Sequence, residues 1–219
     1  MSNVKLIGVT KPVGLDHVKN ATAENLIAYC ARVSNPANQD NPDAERLLKY
    51  CIKNDHWSIF EMVHVVIEIN TTRDIARQIL RHRSFSFQEF SQRYAEVQEM
   101  SEPRETRLQD EKNRQNSIGT DDQDKIKAWR MKQHQIVHET NLAYKWAIQN
   151  GIAKEVARAV LPEGLTMSRM YMAGSLRSWI HYCDLRMGNG TQKEHRDIAA
   201  DCWNIIIKEF PSIEKALEK

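Results

Sequence analysis

Met62-Val63-His64-Val65-Val66-Ile67-Glu68-Ile69-Asn70 is the stretch on which the reading of the fold turns. Val63, Val65, Ile67 and Ile69 alternate with His64, Val66 and Glu68, the period of a strand with one face in a core and the other toward water. Thr71 and Thr72 turn the chain, and the period then changes. From Asp74 to Arg83 it is helical, with Ile75, Ala76, Ile79 and Leu80 on one face and Arg73, Arg77, Gln78 and Arg81 on or near the other.

Toward the N-terminus, Val4 to Thr10 alternates and is β-branched, and Pro12-Val13-Gly14 punctuates it as a turn. Thr22 caps a helix carrying Leu26, Ile27, Cys30 and Ala31. Asn41-Pro42-Asp43 opens a second, with Ala44, Leu47, Leu48, Cys51 and Ile52 at helical spacing. Toward the C-terminus, Met100 to Asp124 is a polar excursion without periodicity, crowded with Arg104, Arg107, Lys112 and Arg114. It reads equally as a mobile surface loop or as a lid over a polar ligand.

A long helix follows from about Lys125 to Asn150, expected to bury Ile126, Trp129, Ile136, Val137, Ala143 and Ala147. Lys154 to Leu161 is a short helix halted by Pro162, and Thr166 to Arg186 reads as largely helical, stopped by Gly188-Asn189-Gly190. Thr191-Gln192-Lys193-Glu194 has the form of a capping box opening a last helix through Ile198, Cys202, Ile205 and Ile206. Strands and helices do not alternate strictly. The expectation is one α+β domain over 1–219, a mixed antiparallel-type sheet packed with several long helices.

Composition narrows the function. Thirty-one lysines and arginines against 29 aspartates and glutamates leave +2, too little for the global field on which non-specific nucleic-acid binding rests. No apolar run reaches the length of a membrane span and no signal-peptide pattern opens the chain, so a cytoplasmic protein is expected. Cys30, Cys51, Cys183 and Cys202 form no CxxC pair and read as reduced core thiols. His134 and His138 form HxxxH, but Gln135 stands where a zinc protease needs glutamate. No metal is expected. Among the eight glycines there is no GxGxxG, so a dinucleotide pyrophosphate would have to be held by side chains.

Arg81-His82-Arg83-Ser84-Phe85-Ser86-Phe87-Gln88-Glu89-Phe90-Ser91-Gln92-Arg93-Tyr94 supplies such side chains. Guanidinium forks match phosphate oxygens in pairs and serine hydroxyls donate to those left over. Glu89 would be repelled by phosphate and is better suited to a sugar hydroxyl or to orienting an arginine, which points to a nucleotide. Helix-end trimming explains Arg81 and Arg83 taken alone, but not the serines, Glu89 and Arg93 that follow.

This stretch, RHRxxS followed after four residues by SxR, resembles the signature of the flavin-dependent thymidylate synthases, which methylate dUMP to dTMP. Ala31-Arg32-Val33-Ser34, His56 to Glu61, Ala76-Arg77-Gln78, Val156-Ala157-Arg158 and Ser175 to Arg186 are similar to further blocks of that family, in family order. The resemblance implies FAD as cofactor, NADPH and methylenetetrahydrofolate as co-substrates, and a homotetramer with shared sites. It implies that Gln78, Arg81, Glu89, Ser91, Gln92, Arg93, Arg158 and Arg186 bind dUMP. It implies that Ser58, Arg81, His82, Arg83, Glu89, Ser175, Arg177 and His181 contact FAD, with Arg186 and His56 catalytic. Arg186 at the pyrimidine edge would stabilise negative charge and make C5 electron-rich. No protein nucleophile is expected, and Ser91 reads as a phosphate ligand. Gln88, Ser175 and His181 stand where asparagine occurs in the family, and the excursion after Met100 has no counterpart in the family pattern. The rival reading is a single-stranded nucleic-acid module stacking bases on Phe85, Phe87, Phe90 and Tyr94. A further rival is another flavoenzyme acting on a nucleotide.

Overall fold

A computed structural model describes residues 4–217. In chain order the elements are β1 (Val4–Val9), α1 (Ala23–Ala31), α2 (Glu45–Lys53), a 3-10 turn (Trp57–Met62), β2 (His64–Thr72), α3 (Arg73–Ile79), β3 (Ser86–Glu89), β4 (Arg107–Gln109), β5 (Ser117–Gly119), α4 (Gln123–Gln149), α5 (Lys154–Ala157), β6 (Met167–Ser175), α6 (Leu176–Arg186), α7 (Lys193–Glu209) and α8 (Pro211–Leu217). The main sheet has the order β1-β2-β6-β3 and every pair is antiparallel. The fold is α+β, as expected.

The 62–70 stretch forms the centre of that sheet. Val65, Ile67, Ile69 and Thr71 face inward beside Met170 and Met172 of β6. Ile75 and Ile79 of α3, Trp179 of α6 and Ile198, Cys202 and Ile206 of α7 close over them. Each large apolar side chain removed from water there contributes about 1.5–3 kcal/mol. The indole of Trp179 satisfies its polar edge by donating to the Val65 carbonyl at 3.1 Å.

The segment 166–186 corrects the helical expectation. Met167–Ser175 is a strand, paired with β2 at nine positions and with β3 at four, and only Leu176–Arg186 is helical. Ser168, Met170 and Met172 point inward and Arg169 and Tyr171 outward, a two-residue period masked because methionine is also a good helix former. Gly174 belongs to this strand for a steric reason: a Cβ there would meet the Phe85 ring at 2.4 Å.

Three smaller expectations also change. Helix α3 ends at Ile79, so Arg81, His82 and Arg83 lie in the turn beyond it. Gln192, rather than Thr191, caps α7, and its side chain makes no capping bond; Thr191 is buried instead. Helix α4 buries Gln133, Thr140, Tyr144 and Ala147, while Trp129 and Ile136 stay exposed. Polar residues face inward there because they serve the backbone of a neighbouring segment. The Gln133 amide accepts from Arg104 N at 2.8 Å and donates to Arg104 O at 3.0 Å, and Tyr144 Oη accepts from Val97 N at 3.1 Å.

The excursion is therefore structured. Strands β4 and β5 pair as a hairpin. Arg104 donates to both Asp74 oxygens at 2.8 and 3.0 Å, to Thr72 Oγ1 and to Gly164 O. Arg107 reaches Glu194 at 2.5 Å and Ser117 at 2.9 Å. Burial alone pushes the Asp74 carboxyl up, and the Arg104 guanidinium with the Thr72 hydroxyl outweighs it, holding the group below its ordinary value.

Candidate active site

Strands β2 and β6 each run straight into a helix, and because they are antiparallel those helices leave from opposite ends of the sheet. Helix α6 then spans about 16 Å at 1.5 Å per residue, and its last turn comes back to the segment that follows α3. This places the expected site residues in three groups.

The first group lies where α3, α6 and α7 converge. Arg186 Nε donates to His82 Nε2 at 2.8 Å, and Gln78 donates to the Gln192 side chain at 2.8 Å. The His82 ring stands edge-on to Tyr182 at 4.9 Å, and the Tyr182 hydroxyl lies 3.1 Å from His195 Nε2. Burial, and then the charges of Arg186 and Arg81, push the His82 pKa down to about 4, so the imidazole is neutral and able to accept. His195 is likewise pushed down to about 4 by burial, Arg186 and His82. Arg81 and Arg83 are exposed and make no ion pair among the described residues.

The second group lies at the other end of β3, a strand of about 13 Å. Glu89 Oε1 accepts from Ser168 Oγ at 2.8 Å and sits 3.4 Å from Arg73 Nη1. Ser91 Oγ accepts from Arg93 N at 3.3 Å, and the Arg93 side chain pairs with Glu155 at 3.2 Å. Arg158, half-buried, opens the 3-10 turn that continues α5. Gln92 is 4% exposed and its amide Nε2 has no partner. A buried donor left unpaired costs about 1–3 kcal/mol, which suits this amide to a ligand acceptor.

The third group lies at the N-terminal end of α6. Arg177 pairs with Glu61 of the 3-10 turn at 3.1 Å, and His181, one helical turn further along, lies 4.7 Å from the Trp57 ring. Ser58 and His56 are exposed on and beside that turn. Ser175 is buried and its hydroxyl accepts from Ser178 N at 3.3 Å as the helix cap.

The main cavities among the described residues do not gather these groups within one chain. A cavity of about 420 Å³ holds Arg93, Tyr94 and Lys154, and one of about 530 Å³ is lined by Thr72, Arg104, Lys193 and Glu194. Tyr182, Gln192 and His195 touch the first group and are not among the site residues expected from sequence, where Gln192 figures only as part of a capping box. The available signal was a histidine on the apolar stripe His195, Ile198, Ala199, Cys202 of α7, a core position occupied by a polar ring.

The donor set suits FAD, whose pyrophosphate needs cations not already neutralised: Arg81 and Arg83 are free of carboxylates among the described residues. The thiols are poorly suited to nucleophilic attack, since burial pushes Cys51, Cys183 and Cys202 up. The base-stacking reading loses its aromatics. Phe85 packs on Trp179 at 4.9 Å and Phe87 lies against the core, whereas Tyr94 alone of the four is exposed. Among the described residues no cluster of side chains suits a metal ion, and no helix is long and apolar enough to cross a membrane.

The family model Thy1, described as "Thymidylate synthase complementing protein", matches residues 16–212. A protein of Paramecium bursaria Chlorella virus 1 named "Probable flavin-dependent thymidylate synthase" is 54% identical over 217 residues, 99% of each chain. A flavin-dependent thymidylate synthase of Synechocystis is 50% identical over 216 residues, again 99% of each chain. Among solved structures, a UMP/dUMP methylase, PolB of Streptomyces cacaoi, bound with 5-Br UMP, superposes with a TM-score of 0.79 over 97% of this chain and 92% of its own, at 23% identity.

Proposed function

This chain belongs to the flavin-dependent thymidylate synthase family, and we propose that its three groups of site residues complete one dUMP-methylating centre only when several copies of the chain come together. The observation that carries this reading is the distribution of the residues themselves. One chain sets them about 16 Å apart along α6 and on both ends of β3, while a single reaction must bring dUMP, FAD and methylenetetrahydrofolate into contact. A homotetramer with shared sites resolves that conflict, and the apolar Trp129, Ile136, Leu142 and Trp146 left exposed on α4 are consistent with subunit contact. The protein works in the cytoplasm, where its thiols stay reduced.

When bound and reduced by NADPH, FAD would supply the hydride that completes the methyl group whose carbon would come from methylenetetrahydrofolate. The residues of the chain bind and polarise. Arg81, Ser91, Gln92, Arg93 and Arg158 hold the nucleotide phosphate, and the pairing of Arg93 with Glu155 keeps that guanidinium in place until phosphate displaces the carboxylate. Gln78 and Glu89 fix the sugar and base side of dUMP. Glu89 Oε1 is occupied by Ser168, which leaves Oε2 for the ligand. Arg83, Arg177, His181 and Ser58 serve the FAD side, with His82, Arg81 and Glu89 at the boundary, and Ser175 acts there by capping the helix that carries Arg177. Arg186 lies at the pyrimidine edge, where its charge stabilises the anion that makes C5 nucleophilic, a type of contribution worth about 2.7–4 kcal/mol at the barrier. His56 lines the entrance on the folate side.

Co-expression of Arg93→Ala with Arg177→Ala tests the sharing. Each variant alone is expected to lose dTMP formation, whereas mixed oligomers recover part of it, because some shared sites then draw each arginine from the variant that retains it. Absence of recovery in isolated mixed oligomers, or a monomer by sedimentation, overturns the shared site.

A further inference from the structure

The arginines of this protein are mostly neutralised where they are anchored. Arg93 is held by Glu155, Arg104 by Asp74, Arg107 by Glu194 and Arg177 by Glu61. Arg186 is anchored differently. Its Nε–H goes to the imidazole Nε2 of His82 at 2.8 Å, and neither Nη makes a hydrogen bond or ion pair among the described residues. A carboxylate in that position would orient the guanidinium equally well, but would cancel in a partly buried site the charge that the pyrimidine anion needs. A neutral ring orients it and leaves its charge intact.

The surroundings hold the ring in that state and attitude. Tyr182, fully buried, meets it edge-on at 86°, and the Tyr182 hydroxyl lies 3.1 Å from His195, which stands edge-on to His82 at 6.2 Å. The charged and titratable groups facing His82 are Arg81, Arg186, Tyr182 and His195, and none is a carboxylate. Because Nε2 accepts from Arg186, the His82 proton resides on Nδ1.

We propose that His82 is the positioning residue of Arg186: a neutral acceptor that sets the guanidinium plane through Nε and leaves both Nη groups, with undiminished charge, for the uracil ring. This rests on Arg186 serving the pyrimidine, as argued above. It gives the histidine of the arginine-histidine-arginine triplet a task toward the nucleotide in addition to any contact with FAD.

The test uses the FAD-loaded oligomer of the wild type and of His82→Gln, His82→Glu and His82→Ala. Three quantities are read: kcat, the dUMP Kd by calorimetry, and the pH at which the ring of bound 5-fluoro-dUMP ionises, followed by ultraviolet difference spectra. The last needs no turnover and reports the positive charge at the pyrimidine. His82→Gln keeps a neutral acceptor and is expected to leave the ionisation pH unmoved and to retain more kcat than either of the other two variants. His82→Glu holds Arg186 but cancels its charge, so dUMP still binds, the ionisation pH rises and kcat falls tenfold or more, the equivalent of about 1.4 kcal/mol. His82→Ala frees the guanidinium and gives the same two losses with a neutral side chain, and it carries the comparison if the buried glutamate prevents folding.

Equal kcat and equal ionisation pH in the Gln variant and in whichever of the Glu and Ala variants fold overturn the proposal. Arg186→Gln separates the two layers. If that change leaves the ionisation pH and kcat untouched, the pyrimidine reading of Arg186 fails and takes the proposal with it. If Arg186→Gln abolishes both signals while all three His82 variants match wild type, only the role of His82 fails.

Discussion

Arg104 and Arg107 turn inward onto Asp74 and Glu194, whereas Arg81 and Arg83 stand in an exposed turn with no ion pair among the described residues. In sequence the two regions look alike, each an arginine-rich polar run. What separates them is whether the fold brings a carboxylate to the guanidinium. Where it does, as in the excursion, the arginine is a structural tie that fixes the β4–β5 hairpin and the chain before it onto the starts of α3 and α7. Where it does not, the charge remains available to a phosphate, and Arg186, held by an imidazole, lies between the two cases.

Breaking the structural side has the largest expected effect. Arg104→Ala removes both bonds to Asp74 and leaves that carboxylate three-quarters buried, which is expected to cost about 4 kcal/mol of stability in chemical denaturation. FAD and dUMP affinities of the folded remainder are expected to be unchanged. A loss of affinity without a loss of stability would make Arg104 part of the ligand site and erase the contrast.

Acid sharpens the comparison next. His195 is 1% exposed and its pKa lies near 4 in the folded chain against an ordinary 6.5, so between those values the unfolded chain binds more protons. The contribution of His195 should be flat above about pH 6.5, fall by about 3 kcal/mol toward pH 4, and flatten again once the folded state also protonates, with His82 titrating over the same range. The Asp74 pair gives way only at lower pH, because a carboxyl held below 3.8 keeps its contribution until it is protonated in the fold. A denaturation series across pH 4–8 in which His195→Leu removes the His195 share of the slope, leaving that of His82, whose pKa also lies near 4, is the check; an unchanged slope would place the titrating group elsewhere.

The smallest effect belongs to the free cation. Arg83→Ala should move stability by less than about 0.5 kcal/mol, as for a surface residue without partners. Its FAD Kd is expected to rise about tenfold, or about 1.4 kcal/mol. A lowered melting temperature with unchanged FAD binding would mean that Arg83 has a structural partner.

Much of this protein was legible in its sequence because it depended on neighbours along the chain. The alternation of Val63 to Ile69, the cap at Thr22 and the signature from Arg81 to Tyr94 each follow from local spacing, and the sheet, α1 and the family followed from them. The 166–175 strand was not legible, since methionine suits helix and strand alike and only pairing with β2 and β3 settled the choice. Burial along α4 was hidden for a similar reason: Gln133 and Tyr144 face inward to serve backbone groups about 30 and 47 residues away. The site followed the same division. Residue types alone pointed to a nucleotide and its phosphate, because guanidinium and hydroxyl chemistry belongs to the side chain itself. Which arginine is neutralised by Asp74, which is left free, and which is held by His82 depends on charges brought together from distant parts of the chain, and only the tertiary structure determines that.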